Sequence, residues 1–135
     1  DGYNVIFAWD ELKKIAAENL DAARRRLMDI LCNYAGYRKC VPILVFDAYR
    51  VKGAGREQET WHNLHVIYTR EAETADMFIE RATHELAKNH RVRVVSSDGA
   101  EQIIILGNGA LRVSARAFER EVRAVEAEIR EFLDQ

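Results

Sequence analysis

Three short apolar runs, VPILVFD at residues 41–47, LHVIYT at 64–69 and VRVVSSD at 92–98, are each bounded by polar positions. Runs of that length, rich in Val and Ile, predict strands buried on both faces, as in a parallel sheet. Between them the rhythm changes. Over 20–38, Leu20, Ala23, Leu27, Ile30, Leu31 and Tyr34 recur at helical spacing beside Arg24, Arg25 and Arg26, and over 75–89 Ala75, Phe78, Ile79, Ala82 and Leu86 do the same. Residues 114–133 set Phe118, Val122, Val125, Ile129 and Phe132 at steps of four and three behind Ser114, a suitable N-cap. This predicts a long amphipathic helix, packed on its own domain or facing a partner. Strands that alternate with helices imply right-handed crossovers, a parallel sheet and an α/β sandwich. The segment VKGAGREQETWHN, 51–63, has no clear period and reads as a surface loop.

Composition narrows the class. At 135 residues the chain fits one domain, and 48% apolar with 31% charged residues describes a globular protein. No apolar run approaches the roughly 18 residues a membrane span needs, and no signal peptide is evident, so the expected setting is cytoplasmic. The net charge of -2 and pI near 6.1 argue against gripping nucleic acid by bulk charge. Any such contact must be local or assisted. Cys32 and Cys40 match no zinc pattern and read as free buried thiols of a reducing compartment. His62, His65, His84 and His90 are scattered, and the HxxH at 62–65 lacks further sulfur or imidazole ligands nearby.

The acids change the picture most. In TREAETADMFIE, 69–80, Glu71, Glu73 and Asp76 crowd a helix start with Glu80 one turn on. Asp76 and Glu80 share a face at i, i+4, where like charges cost about 0.2–0.5 kcal/mol. Either the helix dipole or a bound cation repays that cost. Ligands of an open parallel sheet bind beyond the carboxyl ends of its strands. Asp47 closes the first run, Asp98 closes the third, Asp76 opens the helix after the second, and Asp1 heads the chain. Singly, each has an ordinary reading: Asp98 with Glu101 has capping-box spacing, Thr74 can cap a helix holding Asp76 in its first turn, and Asp47 can end a strand in a turn. Together, unpaired carboxylates at neighbouring strand ends repel, and a divalent cation removes the conflict. Oxygen-only donors favour Mg²⁺ or Mn²⁺. A metal held there can activate water and neutralise a phosphodiester under in-line attack, so phosphodiester hydrolysis is the chemistry most in keeping with the cluster.

Five motifs carry a resemblance: DGYNV at 1–5, LVFDAYRVKG at 44–53, ETADMFIE at 73–80, SSDGAEQ at 97–102 and GALRVSAR at 109–116. In that order and spacing, over nearly the whole chain, they resemble the YacP-like NYN-domain proteins of the PIN-like nuclease superfamily. The resemblance implies a three-layer α/β/α sandwich with a central, mainly parallel sheet. It also implies a metal-dependent endoribonuclease, with characterised relatives that cut messenger RNA on the translating ribosome. Carried over, it makes Asp1, Asp76 and Asp98 the metal ligands and catalytic acids. Asn4 becomes a group that orients a ligand or a phosphate, and Asp47 a ligand or a water-mediated partner. Glu73 and Glu101 match less securely and read equally as solvated helix-start acids. In the family a hydrophobic strand precedes DGYN, whereas this sequence starts at Asp1. The first strand is therefore expected to be truncated, with DGYN a strand-end loop leading to a short helix near 9–17.

Around the expected mouth, Tyr49, Arg50, Lys52, Arg56, Trp61, Arg70, Arg112 and Arg116 offer cations for phosphates and a ring for a base. Stacking on Trp61 is worth about 1–3 kcal/mol, although each residue alone is also ordinary surface. Weak overall charge suits an enzyme that spares free RNA and cuts where a ribosome presents the message. A binding module that keeps the fold without cleaving is the alternative, and the intact acid set argues against it. A phospho-accepting receiver needs a lysine at a later strand end, and none follows VRVVSSD. No GxGxxG follows a strand, and GNGALR at 107–112 reads as a helix-end turn.

Overall fold

The computed structural model describes residues 1–47, 58–70, 72–96 and 104–135, with only the backbone described at Ile104 and Ile105. The chain opens helically. Asp1 Oδ1 accepts the N–H groups of Tyr3 at 3.0 Å and Asn4 at 3.3 Å and caps α1, Gly2–Ala8. This corrects the expected loop: DGYN is a helix start, because the Asp1 carboxylate satisfies two of the orphan donors there. Gly2 is glycine for a steric reason, since a Cβ would collide with the Phe46 ring.

Trp9 leaves the helical region at φ -93°, ψ 122° and divides α1 from α2, Asp10–Glu18. Its ring is fully buried, and its Nε1–H donates to the Ala115 carbonyl at 2.8 Å. The helix expected near 9–17 is α2, and α1 precedes it, joined to it through an anchored tryptophan. Asn19 caps α3, Leu20–Arg38, through the Ala22 N–H, and Lys39 ends it in the left-handed region at φ 55°.

The strands fall on the expected runs in shorter form: β1 Ile43–Phe46, β3 Leu64–Tyr68 and β4 Arg93–Ser96. Three more are present, β2 Gln58–Trp61, β5 Ile104–Ile105 and β6 Leu111–Ser114. β2 lies inside the segment read as a loop. The pairing differs from one mainly parallel sheet. Among the described residues there are two three-stranded sheets, β1-β3-β2 and β4-β6-β5, each with one parallel and one antiparallel pair. The antiparallel pairs come from tight returns, one at His62, φ 56°, and one at Gly109, φ 90°. GNGALR thus forms a hairpin return and strand, not a helix end.

Thr74 caps α4, Ala75–Leu86, and Ser114 caps α5, Ala115–Leu133, each hydroxyl accepting the N–H three residues on at 3.1 Å. The α5 stripe packs on its own domain, with Phe118, Val122 and Val125 buried against Trp9, Leu27 and Tyr34 in one core that Phe46 and Val66 join. Phe132 remains exposed at its end. The cysteines are free, as expected, yet Cys40 is exposed after the end of α3 and Cys32 is only half-buried at the margin of the core.

Candidate functional site

β1 and β3 run parallel with Phe46 opposite Tyr68, so their carboxyl ends share an edge. Asp47 leaves that edge, and its Oδ1 accepts the Ala75 N–H at 2.6 Å. The carboxylate ending one strand thereby caps the helix that follows the next. Asp76 sits exposed in the first turn of α4, where the helix dipole favours a negative charge. Asp1 joins them from the other sheet: its main-chain nitrogen lies 3.5 Å from the Val95 carbonyl of β4. The charges of Asp76 and Asp47 both act at the main-chain nitrogen of Asp1. Three of the four expected ligands, Asp1, Asp47 and Asp76, thus lie within electrostatic reach of one buried point. Asn4 belongs to the same turn as Asp1, half-buried, its N–H on the Asp1 carboxylate.

The fourth expected ligand, Asp98, lies outside the described residues, as do Glu71, Glu101, Tyr49, Arg50, Lys52 and Arg56. Among the described residues, no group of three or more His, Cys, Asp or Glu side chains is close enough to hold a metal ion. Glu73 is committed elsewhere, its carboxylate accepting both Arg81 nitrogens at 2.5 and 3.5 Å. Part of the crowding at the α4 start is thereby answered: Glu73 is neutralised by Arg81, and Asp76 meets the helix dipole.

The basic candidates divide. Arg70 follows β3 at the acidic edge, and Arg116 stands exposed in the first turn of α5, just after β6 ends. Arg112 is mid-strand in β6, opposite Val94. Trp61 is elsewhere. It pairs with Leu64 at the start of β3, the far end of the strand from Tyr68 and Asp47, because the His62 turn reverses the chain. It is not at the acidic mouth.

Ser96 is the residue the sequence reading missed. It ends β4 one position beyond Val95, and its Oγ is buried with no hydrogen-bond partner among the described residues. A buried hydroxyl without a partner costs about 1–3 kcal/mol. Its place before Asp98 in SSD was the available signal. The donors assembled here are carboxylate and hydroxyl oxygens, which fit a hard divalent ion such as Mg²⁺ or Mn²⁺ and not a thiolate-seeking one. The cavity of about 150 Å³ between α3 and α5, lined by Ile30, Tyr34, Val122 and Glu126 among others, is separate from these acids.

An α/β domain that gathers acids where parallel strands end is of the class that works on ligands at that edge. The model of the YacP-like NYN domain matches residues 1–135, and the chain belongs to that family, which is of nuclease type. The chain is 43% identical over 130 residues to the uncharacterized protein YacP of Bacillus subtilis, covering 96% of this chain and 76% of the relative. It resembles the crystal structure of Rae1 (YacP) from Bacillus subtilis with a TM-score of 0.82 at 41% identity, over 99% of this chain and 77% of that one. A mutant of the same protein matches with a TM-score of 0.79 at 39% identity, over 97% of this chain and 77% of that one. No helix among the described residues is long and apolar enough to cross a membrane.

Proposed function

We propose that this protein is a divalent-metal-dependent endoribonuclease on a PIN-like α/β/α scaffold, hydrolysing messenger RNA presented by the ribosome in the cytoplasm. The observation that supports the reading is that Asp47, at the end of β1, caps the helix whose first turn carries Asp76, while the charges of both act on the start of the chain at Asp1. Asp1, Asp76 and Asp98 hold the ion. Asp47, with one oxygen on the Ala75 N–H, offers its other oxygen directly or through water. When bound, Mg²⁺ or Mn²⁺ supplies an activated water and offsets charge on the phosphodiester.

The chain's own groups do the rest. The Asp1 cap fixes the first turn of α1, which sets where Asn4 can reach a phosphate oxygen. The Ser96 hydroxyl lacks a partner among the described residues and can donate to a ligand or to its water. Arg70 and Arg116 flank the edge and suit phosphates on either side of the cut. The net charge of -2 gives little affinity for free RNA, which suits a strand delivered by a larger assembly.

The second reading is an RNA- or ribosome-binding module without catalysis, favoured by the lack of a three-acid chelating group among the described residues. Incubating end-labelled RNA with Mn²⁺, Mg²⁺ or EDTA separates the two, with Asp76→Asn as the comparison. Metal-dependent internal cuts that Asp76→Asn reduces by two orders of magnitude or more support the nuclease. RNA bound but uncut under every metal condition supports the module.

A further inference from the structure

The acidic edge has a counterpart at the other end of the strands. α3 feeds β1, the His62 turn feeds β3, and the connection after α4 feeds β4, so all three approach the amino ends of the strands. β1 alone separates that end from Asp47 by about 13 Å, at roughly 3.3 Å per residue. Arg38, Lys39, Trp61, His62, His90 and Arg91 all stand exposed there. One contact and one charge interaction relate these approaches. The Cys40 thiol, entering β1, lies within electrostatic reach of Arg38 and of Arg93 at the start of β4. The Cys32 thiol of α3 meets the Trp61 carbonyl at 3.3 Å, which sets the hairpin tip against the helix that ends in Arg38.

We propose that this end is a second contact surface for single-stranded RNA, with phosphates on Arg38, Lys39 and Arg91 and a base stacked on Trp61. The proposal rests on RNA being the substrate, and it places a distant part of the strand on the protein. Arg93 is already taken by Glu121, at 3.0 and 2.6 Å, and Arg38 lies within electrostatic reach of the same carboxylate, whereas no ion pair within 4 Å engages Arg38, Lys39 or Arg91 among the described residues. Helix dipoles account for cations at the end of α3. They do not account for Arg91 in the approach to β4, nor for an indole left 39% exposed at the hairpin tip that meets α3. Cations and an exposed aromatic face along one surface are what single-strand binders use, the charge tracking the backbone and the ring taking any base. In a chain of net charge -2 this is a local positive surface, complementary to a polyanion.

The test uses an oligouridylate of about 12 nucleotides, within the roughly 4–16 that such sites span, titrated in EDTA with tryptophan fluorescence as the signal. Trp9 is fully buried, so quenching reports Trp61, and Trp61→Phe should abolish it. The expected result is quenching in the parent. In Arg38→Glu/Lys39→Glu/Arg91→Glu, affinity falls tenfold or more and the log–log salt slope drops by about 2, near 0.7 per lost phosphate contact. Trp61→Ala, followed by anisotropy of labelled RNA, weakens binding on the order of tenfold with the slope unchanged. Quenching without metal-dependent cleavage keeps this surface and removes the nuclease reading. Cleavage with Trp61 unquenched, an unaltered slope in the triple variant, or equal affinity for polyglutamate overturns the surface and leaves the nuclease standing.

Discussion

Asp47 and Ala75 are joined across 28 residues by a hydrogen bond of 2.6 Å, the Asp47 carboxylate accepting the first N–H of α4. Strand end and helix start are thereby tied at the point where Asp76 projects. Replacing the Asp47 side chain with alanine leaves that N–H without its acceptor and should cost about 0.5–2 kcal/mol, the range for a lost cap. Asp47→Asn retains an oxygen and should cost less. Urea denaturation of the two variants checks this, and equal losses would mean that the cap contributes nothing beyond Thr74.

Gly2 presses on Phe46 so closely that no Cβ fits. In a solvent-facing helix Gly→Ala stabilises, but here the added methyl must displace a fully buried ring. Gly2→Ala should destabilise by about 1–3 kcal/mol, the cost of overpacking, seen as a lowered thermal midpoint. A raised midpoint would show that the ring yields freely.

Arg93 of β4 and Glu121 of α5 form a two-pronged ion pair that ties sheet to helix. The Arg93 guanidinium holds the Glu121 carboxyl below its usual 4.5. A carboxylate depressed in the folded state stabilises above its unfolded pKa, and that contribution is lost as pH falls through the lower folded value. Both partners are partly exposed, so the effect is modest. Denaturation midpoints measured from neutral pH down through the carboxylate range should fall less steeply for Glu121→Gln than for the parent. Parallel curves would contradict the coupling.

Trp9 is held by its bond to the Ala115 carbonyl and lies under the Arg123 guanidinium, 5.7 Å from the ring. Trp9→Phe keeps most of the apolar contact but removes the Nε1–H bond to the Ala115 carbonyl, which still accepts within α5, a loss of about 0.5–1.5 kcal/mol. The α1–α2 joint should then open more often, and hydrogen exchange at Lys13, whose N–H reaches the Trp9 carbonyl at 2.9 Å, should accelerate.

Periodicity located α3, α4 and α5 almost to the residue, and Thr74 and Ser114 act as the caps their chemistry suggests. It could not find α1, since seven residues are too few to establish a period and the cap sits on the first residue. QETW escaped notice as a strand because it is an edge strand with three of four positions exposed, so no alternation marks it. Trp61 was misplaced for the same reason: without the hairpin, nothing in the sequence tells which end of the strand it occupies. The acids were legible as a set, but their division of labour was not. Glu73 with Arg81 and Asp47 with Ala75 are contacts between parts of the chain that spacing cannot pair.

The central claim is that carboxylates from remote segments share one divalent ion. Crystals soaked in manganese and measured for anomalous scattering address it directly. A peak bounded by Asp1, Asp76 and Asp98, absent in Asp76→Asn crystals, is the predicted result. Density free of manganese at those side chains while the ion binds elsewhere on the protein would contradict it.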